Sequence, residues 1–135
     1  GALRARGGAI EVETSGPLPP PAGLDARRIQ WNVSVKLAAS GVAEARRIQP
    51  DAIRAFLAAD AWWKFVVTDE ADLAEVLRLA ERFALPRGRI LLQPQAIRRE
   101  DLVARSPWVA EACTRYGFRF SPRLHVMLWG ARRGV

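Results

Sequence analysis

Short β-type runs alternate with helix-type patterns along this chain, and the connections between them are brief. Antiparallel strands can be joined by a two-residue hairpin, but parallel neighbours need a crossover of a dozen or more residues, usually a helix. The alternation therefore predicts parallel pairing through βαβ units and an α/β fold. Residues 9–14 alternate between bounding glycines and read as a first strand. Residues 28–36 place Ile29, Trp31 and Val33 on one side, then end in Ser34 and Lys36. Residues 62–67 are almost continuously apolar, which predicts a strand covered on both faces. Residues 89–92 and 118–121 supply two more short strands.

The helices between them carry start and stop signals. Pro50 at a first helical position, followed by Asp51, opens a helix to about residue 59. Thr68-Asp69-Glu70 gives an N-cap and early acids ahead of Leu73, Val76, Leu77 and Ala80 on one face. Pro86 and Gly88 end that pattern. Residues 98–116 form the longest predicted helix, closed by Gly117. Residues 17–21 are a proline-rich loop and residues 41–49 read as a second loop with two arginine pairs. Residues 1–8 begin without Met and read as the last turn or two of a helix already under way, closed by glycines.

Composition narrows the function classes. At 135 residues and 50% hydrophobic, the chain has the length of one modest domain. It contains no run of about 18 uninterrupted apolar residues, the minimum for a membrane-spanning helix. A single cysteine, Cys113, excludes an intramolecular disulfide and fits a reducing compartment, so the cytoplasm is expected. In its helical setting Cys113 reads as core filler rather than a reactive thiol. The net charge of +7 and pI near 11.1 suggest nucleic acid. The arginines, however, fall in scattered pairs without a continuous stripe, so no nucleic-acid partner is expected. Arg and Ala abundance reads as the habit of a GC-rich genome. Against it the only two lysines, Lys36 and Lys64, stand out at strand-like positions; for Lys64 a solvated strand residue is an equal reading.

Each predicted strand exit carries polar groups: Glu13, Thr14 and Ser15; Asn32, Ser34 and Lys36; Thr68 and Asp69; Gln93 and Gln95; Ser121, Arg123 and His125. In a barrel or part-barrel such exits converge on the rim where ligands bind. Thr68 and Asp69 alone are better read as helix-capping residues. Glu11 and Glu13 share a strand face and could pair as carboxylates, but the better reading puts Glu11 at a rim or solvated position with only Glu13 reaching the active end. His125 is the sole imidazole, and a lone His is more often structural than catalytic. The tryptophans read mostly as core, with Trp129 capping one end. No glycine-rich phosphate loop, no Gly-x-Ser-x-Gly elbow and no zinc-type ligand spacing is present.

Four of these exits resemble one family. Glu13-Thr14-Ser15-Gly16 resembles the Glu-Thr-Asn-Gly strand end of 7-carboxy-7-deazaguanine synthases, which are radical S-adenosylmethionine enzymes. Asn32-Val33-Ser34-Val35-Lys36 resembles their Val-Ser-Pro-Lys segment, and Leu92-Gln93-Pro94-Gln95 their Leu-Gln-Pro-Met. Ser121-Pro122-Arg123-Leu124-His125 resembles the closing strand that usually reads Val-Gln-Thr-His, and Leu128-Trp129-Gly130 its tail. Order and approximate spacing agree over essentially the whole chain.

The resemblance implies an incomplete (β/α) TIM-like barrel, of which residues 1–135 are the carboxyl-terminal portion of the radical S-adenosylmethionine core. It implies that Ser34, Val35, Lys36, Leu92, Gln93, Pro94 and Gln95 hold S-adenosylmethionine, that Glu13 contacts the pterin substrate or the sulfonium side, and that Arg123 and His125 line the substrate end. The implied reaction contracts 6-carboxy-5,6,7,8-tetrahydropterin to 7-carboxy-7-deazaguanine with loss of ammonia, in 7-deazapurine biosynthesis. A [4Fe–4S] cluster and Mg2+ take part in that family, and a homodimer is expected of the full-length enzyme. The three-cysteine motif that holds the cluster, the magnesium-binding Thr and the Gly-Gly-Glu-Pro strand end are absent from this chain. The segment alone is therefore expected to be inactive, with an exposed edge at residues 9–14 that favours aggregation or dimerisation. Val35, Ser15 and Arg123-Leu124 depart from the family's Pro, Asn and Gln-Thr. Another radical S-adenosylmethionine activity, such as a glycyl-radical activase, and a non-catalytic anion-binding domain are the competing readings.

Overall fold

In the computed structural model, residues 8–132 and residue 134 are described. The predicted helix end over residues 1–8 lies, but for Gly8, outside them. Among the described residues the strands are β1 (Glu11–Thr14), β2 (Gln30–Val33), β3 (Trp62–Val67), β4 (Ile90–Pro94) and β5 (Arg119–Phe120). The α-helices are α1 (Glu44–Arg47), α2 (Pro50–Ala58), α3 (Glu70–Phe83), α4 (Arg99–Tyr116) and α5 (Leu124–Trp129). The strands form one five-stranded sheet in the order β1-β2-β3-β4-β5, and the resolved pairings β1–β2, β2–β3 and β4–β5 are parallel. The α/β class with a parallel sheet follows from the alternation that opened the sequence reading. Residue contacts divide the chain into two units, one up to Trp63 and one from Lys64 onward.

In the first unit β1 pairs with β2 over four positions, Glu11 with Gln30 through Thr14 with Val33. Beyond β2 the alternation continues: Trp31, Val33, Val35 and Leu37 are buried, whereas Asn32 and Ser34 are half-buried and Lys36 is exposed. The apolar side meets α2, where Trp31 and Phe56 stack edge to face with ring centroids 5.4 Å apart. The Trp31 indole nitrogen donates to the Ala26 carbonyl at 2.9 Å, so a large aromatic is buried without an orphaned donor. Pro50 stands at the start of α2 as its fixed φ allows, and Ala52, Ile53 and Phe56 form the buried stripe.

Residues 41–49 are not the open loop expected. Glu44–Arg47 closes one helical turn, and Arg47 is only 8% exposed. Its Nε donates to the Val42 carbonyl and its Nη1 to the Lys36 carbonyl, both at 3.1 Å. A buried guanidinium needs acceptors, and folding the turn inward supplies them. The sequence carries no periodic signal for this, because the partners lie five and eleven residues away.

In the second unit Asp69 caps α3, accepting from the amides of Ala71 and Asp72. The buried face of α3 comprises Leu73, Val76, Leu79, Ala80 and Phe83, while the expected Leu77 is half-buried. Two acids, Asp72 and Glu75, are buried on this helix; Asp72 Oδ2 accepts from the Thr68 amide at 2.8 Å and ties the helix to the end of β3. Thr68 and Asp69 are thus turn and capping residues. β3 alternates between fully buried and half-buried positions, so one of its faces is only partly covered, contrary to the expectation from its apolar run.

β5 is shorter than its predicted span, two residues instead of four. The Ser121 amide still donates to the Leu92 carbonyl at 2.9 Å, after which Pro122 ends the ladder. The segment expected to finish as a closing strand turns instead into α5, which places His125 in the first turn of a helix. Arg99 fastens α5 by donating from Nε to the Met127 carbonyl at 2.8 Å and from Nη2 to the Leu128 carbonyl at 2.9 Å. Trp129 is 45% exposed and caps nothing buried. No helix among the described residues is long and apolar enough to cross a membrane.

Candidate functional site

Glu13, Ser34, Val35 and Lys36 belong to the first unit; Leu92 to Gln95, Arg123 and His125 belong to the second. In the first unit Glu11 and Glu13 stand on the exposed side of β1 at strand spacing. Asn32, on the neighbouring strand, donates from Nδ2 to Glu11 Oε1 and to Glu13 Oε1, the latter at 3.2 Å. Gln30 Nε2 also reaches Glu11 Oε1, at 3.0 Å. The two carboxylates are therefore a pair gathered by one amide, the arrangement their spacing allowed.

Gly16 explains why the turn after Thr14 has its sequence. Its amide donates to Thr14 Oγ1 at 3.1 Å, its φ is +78°, and a Cβ there would meet Val33 Cγ1 at 2.7 Å. Only glycine satisfies both the left-handed backbone and the close approach.

Beyond β2, the Ser34 amide is spent on the Thr14 carbonyl at 2.7 Å and the Lys36 carbonyl on Arg47. The Ser34 hydroxyl and the Lys36 ammonium sit two residues apart on the same side of an extended segment. Among the described residues neither side chain has a hydrogen-bond or ion-pair partner. A hydroxyl and an ammonium so placed can both donate to one carboxylate. Val35 is 6% exposed and points into the core, so it can serve a ligand only through its backbone.

The second unit treats its sequence-predicted residues differently. Leu92 is fully buried and Pro94 nearly so. The Leu92 carbonyl is already taken by Ser121. Gln95 is held on three sides: its amide donates to the Val67 carbonyl at 2.9 Å, and Arg105 Nη1 donates to its carbonyl at 2.6 Å and to its Oε1 at 3.0 Å. Gln93 is half-buried and its Nε2 lies 3.5 Å from the Pro122 carbonyl. The turn after β4 is thus rigid, with Gln93 as its adaptable side chain.

Arg123 and His125 are brought together on a cavity of about 350 Å³, whose other lining residues include Ala96, Ile97, Val126 and Arg132. Arg123 Nε is buried and has no hydrogen-bond partner among the described residues. Arg132 was not singled out by sequence reasoning. It lies beyond the last helix, with no spacing relation to a strand exit, so no local signal pointed to it.

Cys113 is buried in α4, and burial pushes its thiol above the usual 9.0, only partly offset by a backbone hydrogen bond with Leu92. It is core material, as expected. Among the described residues no group of three His, Cys, Asp or Glu side chains could hold a metal ion. Three thiolates for an iron–sulfur cluster do not fit a chain with one cysteine.

Against proteins of known function the chain matches over nearly its full length. It is 41% identical over 135 residues to a 7-carboxy-7-deazaguanine synthase of Pyrobaculum aerophilum, covering 98% of this chain and 57% of that protein. The chain is homologous to the 7-carboxy-7-deazaguanine synthases. A synthase of the same name from Halobacterium salinarum is 36% identical over 76 residues, covering 52% of this chain and 30% of that protein. Another from Hyperthermus butylicus is 28% identical over 130 residues, covering 93% and 55% respectively. The chain spans about half the length of the curated synthases it matches most fully. No protein-family model matches it.

Proposed function

We propose that this chain is the carboxyl-terminal portion of a 7-carboxy-7-deazaguanine synthase, built as part of an incomplete (β/α) barrel of the radical S-adenosylmethionine type. The parent would be a cytoplasmic lyase, a homodimer in its full-length form. It would contract 6-carboxy-5,6,7,8-tetrahydropterin to 7-carboxy-7-deazaguanine with loss of ammonia, in the direction of queuosine and related 7-deazapurines. The observation that carries this reading is the 41% identity to the Pyrobaculum synthase across 98% of the chain. The resemblance at four strand exits points the same way.

The chain's own residues divide the work as follows. Ser34 and Lys36, without side-chain partners among the described residues and on one side of the strand exit, would hold the carboxylate of the methionine part of S-adenosylmethionine. The rigid turn from Leu92 through Pro94 to Gln95 presents backbone and the Gln93 amide to its adenosine part. Glu13, gathered with Glu11 by Asn32, accepts hydrogen bonds from the substrate's ring nitrogens. Bound S-adenosylmethionine supplies a hydrogen-abstracting carbon radical in such enzymes; the protein contributes position and electrostatics. The cluster ligands and the magnesium site belong to the parent outside this chain, and the segment alone is inactive.

A chimera tests the reading. This chain is joined to the part of the Pyrobaculum synthase that it does not cover, reconstituted anaerobically, and supplied with S-adenosylmethionine, Mg2+, reductant and 6-carboxytetrahydropterin. Mass analysis should find 7-carboxy-7-deazaguanine. Cleavage of S-adenosylmethionine without that product would favour a different radical activity, such as a glycyl-radical activase. A chimera that folds but neither cleaves nor converts would leave a non-catalytic anion-binding domain.

A further inference from the structure

We propose that the cavity beside α5 is an oxyanion site that takes the carboxylate of a small organic acid between Arg123 and Arg132. Three observations carry it. The cavity, about 350 Å³, lies at the lower end of the range that holds small ligands. Its lining combines two guanidiniums and an imidazole with Ala96, Ile97 and Val126 and, among the described residues, includes no carboxylate. Finally, Arg123 Nε is buried yet has nothing to donate to among the described residues.

A buried guanidinium nitrogen without an acceptor is costly, and such groups are normally paired. Arg123 stands where Ser121 and Pro122 have just ended the sheet and α5 begins, so its backbone is fixed on both sides. The side chain is therefore held in place with an unmet donor at the cavity wall. Arg132, on the opposite end of α5, is exposed and lines the same cavity. A planar carboxylate accepts two parallel N–H donors from one guanidinium and leaves lone pairs for a second. The apolar residues in the same lining, Ala96, Ile97 and Val126, suit the ring or hydrocarbon body to which that carboxylate is attached.

The inference deepens the reading above, since the proposed substrate is a ring acid, and it rests on that reading only for the identity of the natural ligand.

The test uses benzoate and benzamide, which share a ring and differ in charge, with the 135-residue chain and with the chimera in parallel. Arginine Nε–Hε resonances are followed by NMR during titration. Benzoate should move the Arg123 resonance, and benzamide should leave it in place. Arg132→Gln, a change at an exposed side chain that leaves the core intact, should weaken benzoate about three- to tenfold through loss of one charge-assisted contact. Arg123→Gln should abolish the difference between benzoate and benzamide. Equal binding of the two compounds, or benzoate affinity unchanged by either substitution, would overturn the proposal. Product formation by the chimera is a separate readout, so failure of this site and failure of the synthase reading are told apart.

Discussion

Arg47 and Lys36, eleven residues apart, are joined by a guanidinium that donates from Nη1 to the Lys36 carbonyl at 3.1 Å while its Nε holds Val42. The buried side chain thereby fixes the backbone on which the Ser34–Lys36 exit is carried. Arg47→Lys keeps the charge and loses the fork. It should cost about 1.5–3 kcal/mol in urea unfolding, the range for hydrogen bonds made by charged groups. Amide exchange over residues 37–42 should accelerate in the same variant. Unchanged exchange there would show that the two carbonyl contacts do not hold the segment.

Gly16 faces Val33 so closely that the two residues can be tested together. Gly16→Ala places a Cβ 2.7 Å from Val33 Cγ1 and forces φ +78° on a non-glycine residue. The expected loss is about 2–4 kcal/mol, part strain and part overpacking. Combining it with Val33→Ala removes the contact but not the strain. The double variant should therefore lose less than the sum of the two single losses. Strict additivity would mean the clash plays no part.

Ser34 and Lys36 give the opposite signature. Their side chains have no partners among the described residues, so Ser34→Ala and Lys36→Met should each shift stability by less than about 0.5 kcal/mol. In the chimera each should weaken S-adenosylmethionine binding about tenfold, as loss of a charge-assisted donor would. Destabilisation without a change in ligand affinity would make them structural.

Cys113 is predicted to be slow and pH-sensitive in a defined direction. Burial raises its thiol above 9.0 in the folded chain, whereas the unfolded chain keeps the ordinary value. The folded state holds the proton after the unfolded state has released it. Its contribution to stability is thus complete below about pH 9 and falls as pH climbs through the folded-state value. Thermal unfolding between pH 8 and 10.5 should show that decline, and Cys113→Ala should flatten it. Reaction with a disulfide reagent at pH 8 should be slow until denaturant is added.

Much of the architecture was legible because it rests on local periodicity. The alternation in residues 28–36 foretold which side of Trp31, Val33 and Val35 is buried, and Asp69 and Gly117 ended their elements as capping chemistry requires. Where the expectation failed, a local pattern was overruled by distant partners. Residues 118–121 alternate like a strand, yet β5 ends at Phe120, and Arg99 holds the following residues as α5 through the Met127 and Leu128 carbonyls. Arg47 and Arg99 fold their segments through carbonyls that no motif marks. For the candidate site, the Ser34 and Lys36 donors could be read from strand spacing alone, whereas the same spacing favoured a solvated Glu11 and the pair with Glu13 depends on Asn32 of the neighbouring strand. Arg132 could not, because it joins Arg123 only once α5 has formed.

The arginines that looked like a genomic habit turn out to be fastenings. Arg47, Arg87, Arg99, Arg105 and Arg119 each donate to a main-chain carbonyl that regular secondary structure leaves over. Lysine cannot copy the two adjacent bonds that Arg99 makes to Met127 and Leu128, since a single ammonium lacks the rigid fork. The arginine-rich composition has thus become a structural dependency. A lineage drifting toward AT-rich codons, and so from arginine toward lysine, would loosen the seat of α5 before it lost a single apolar contact.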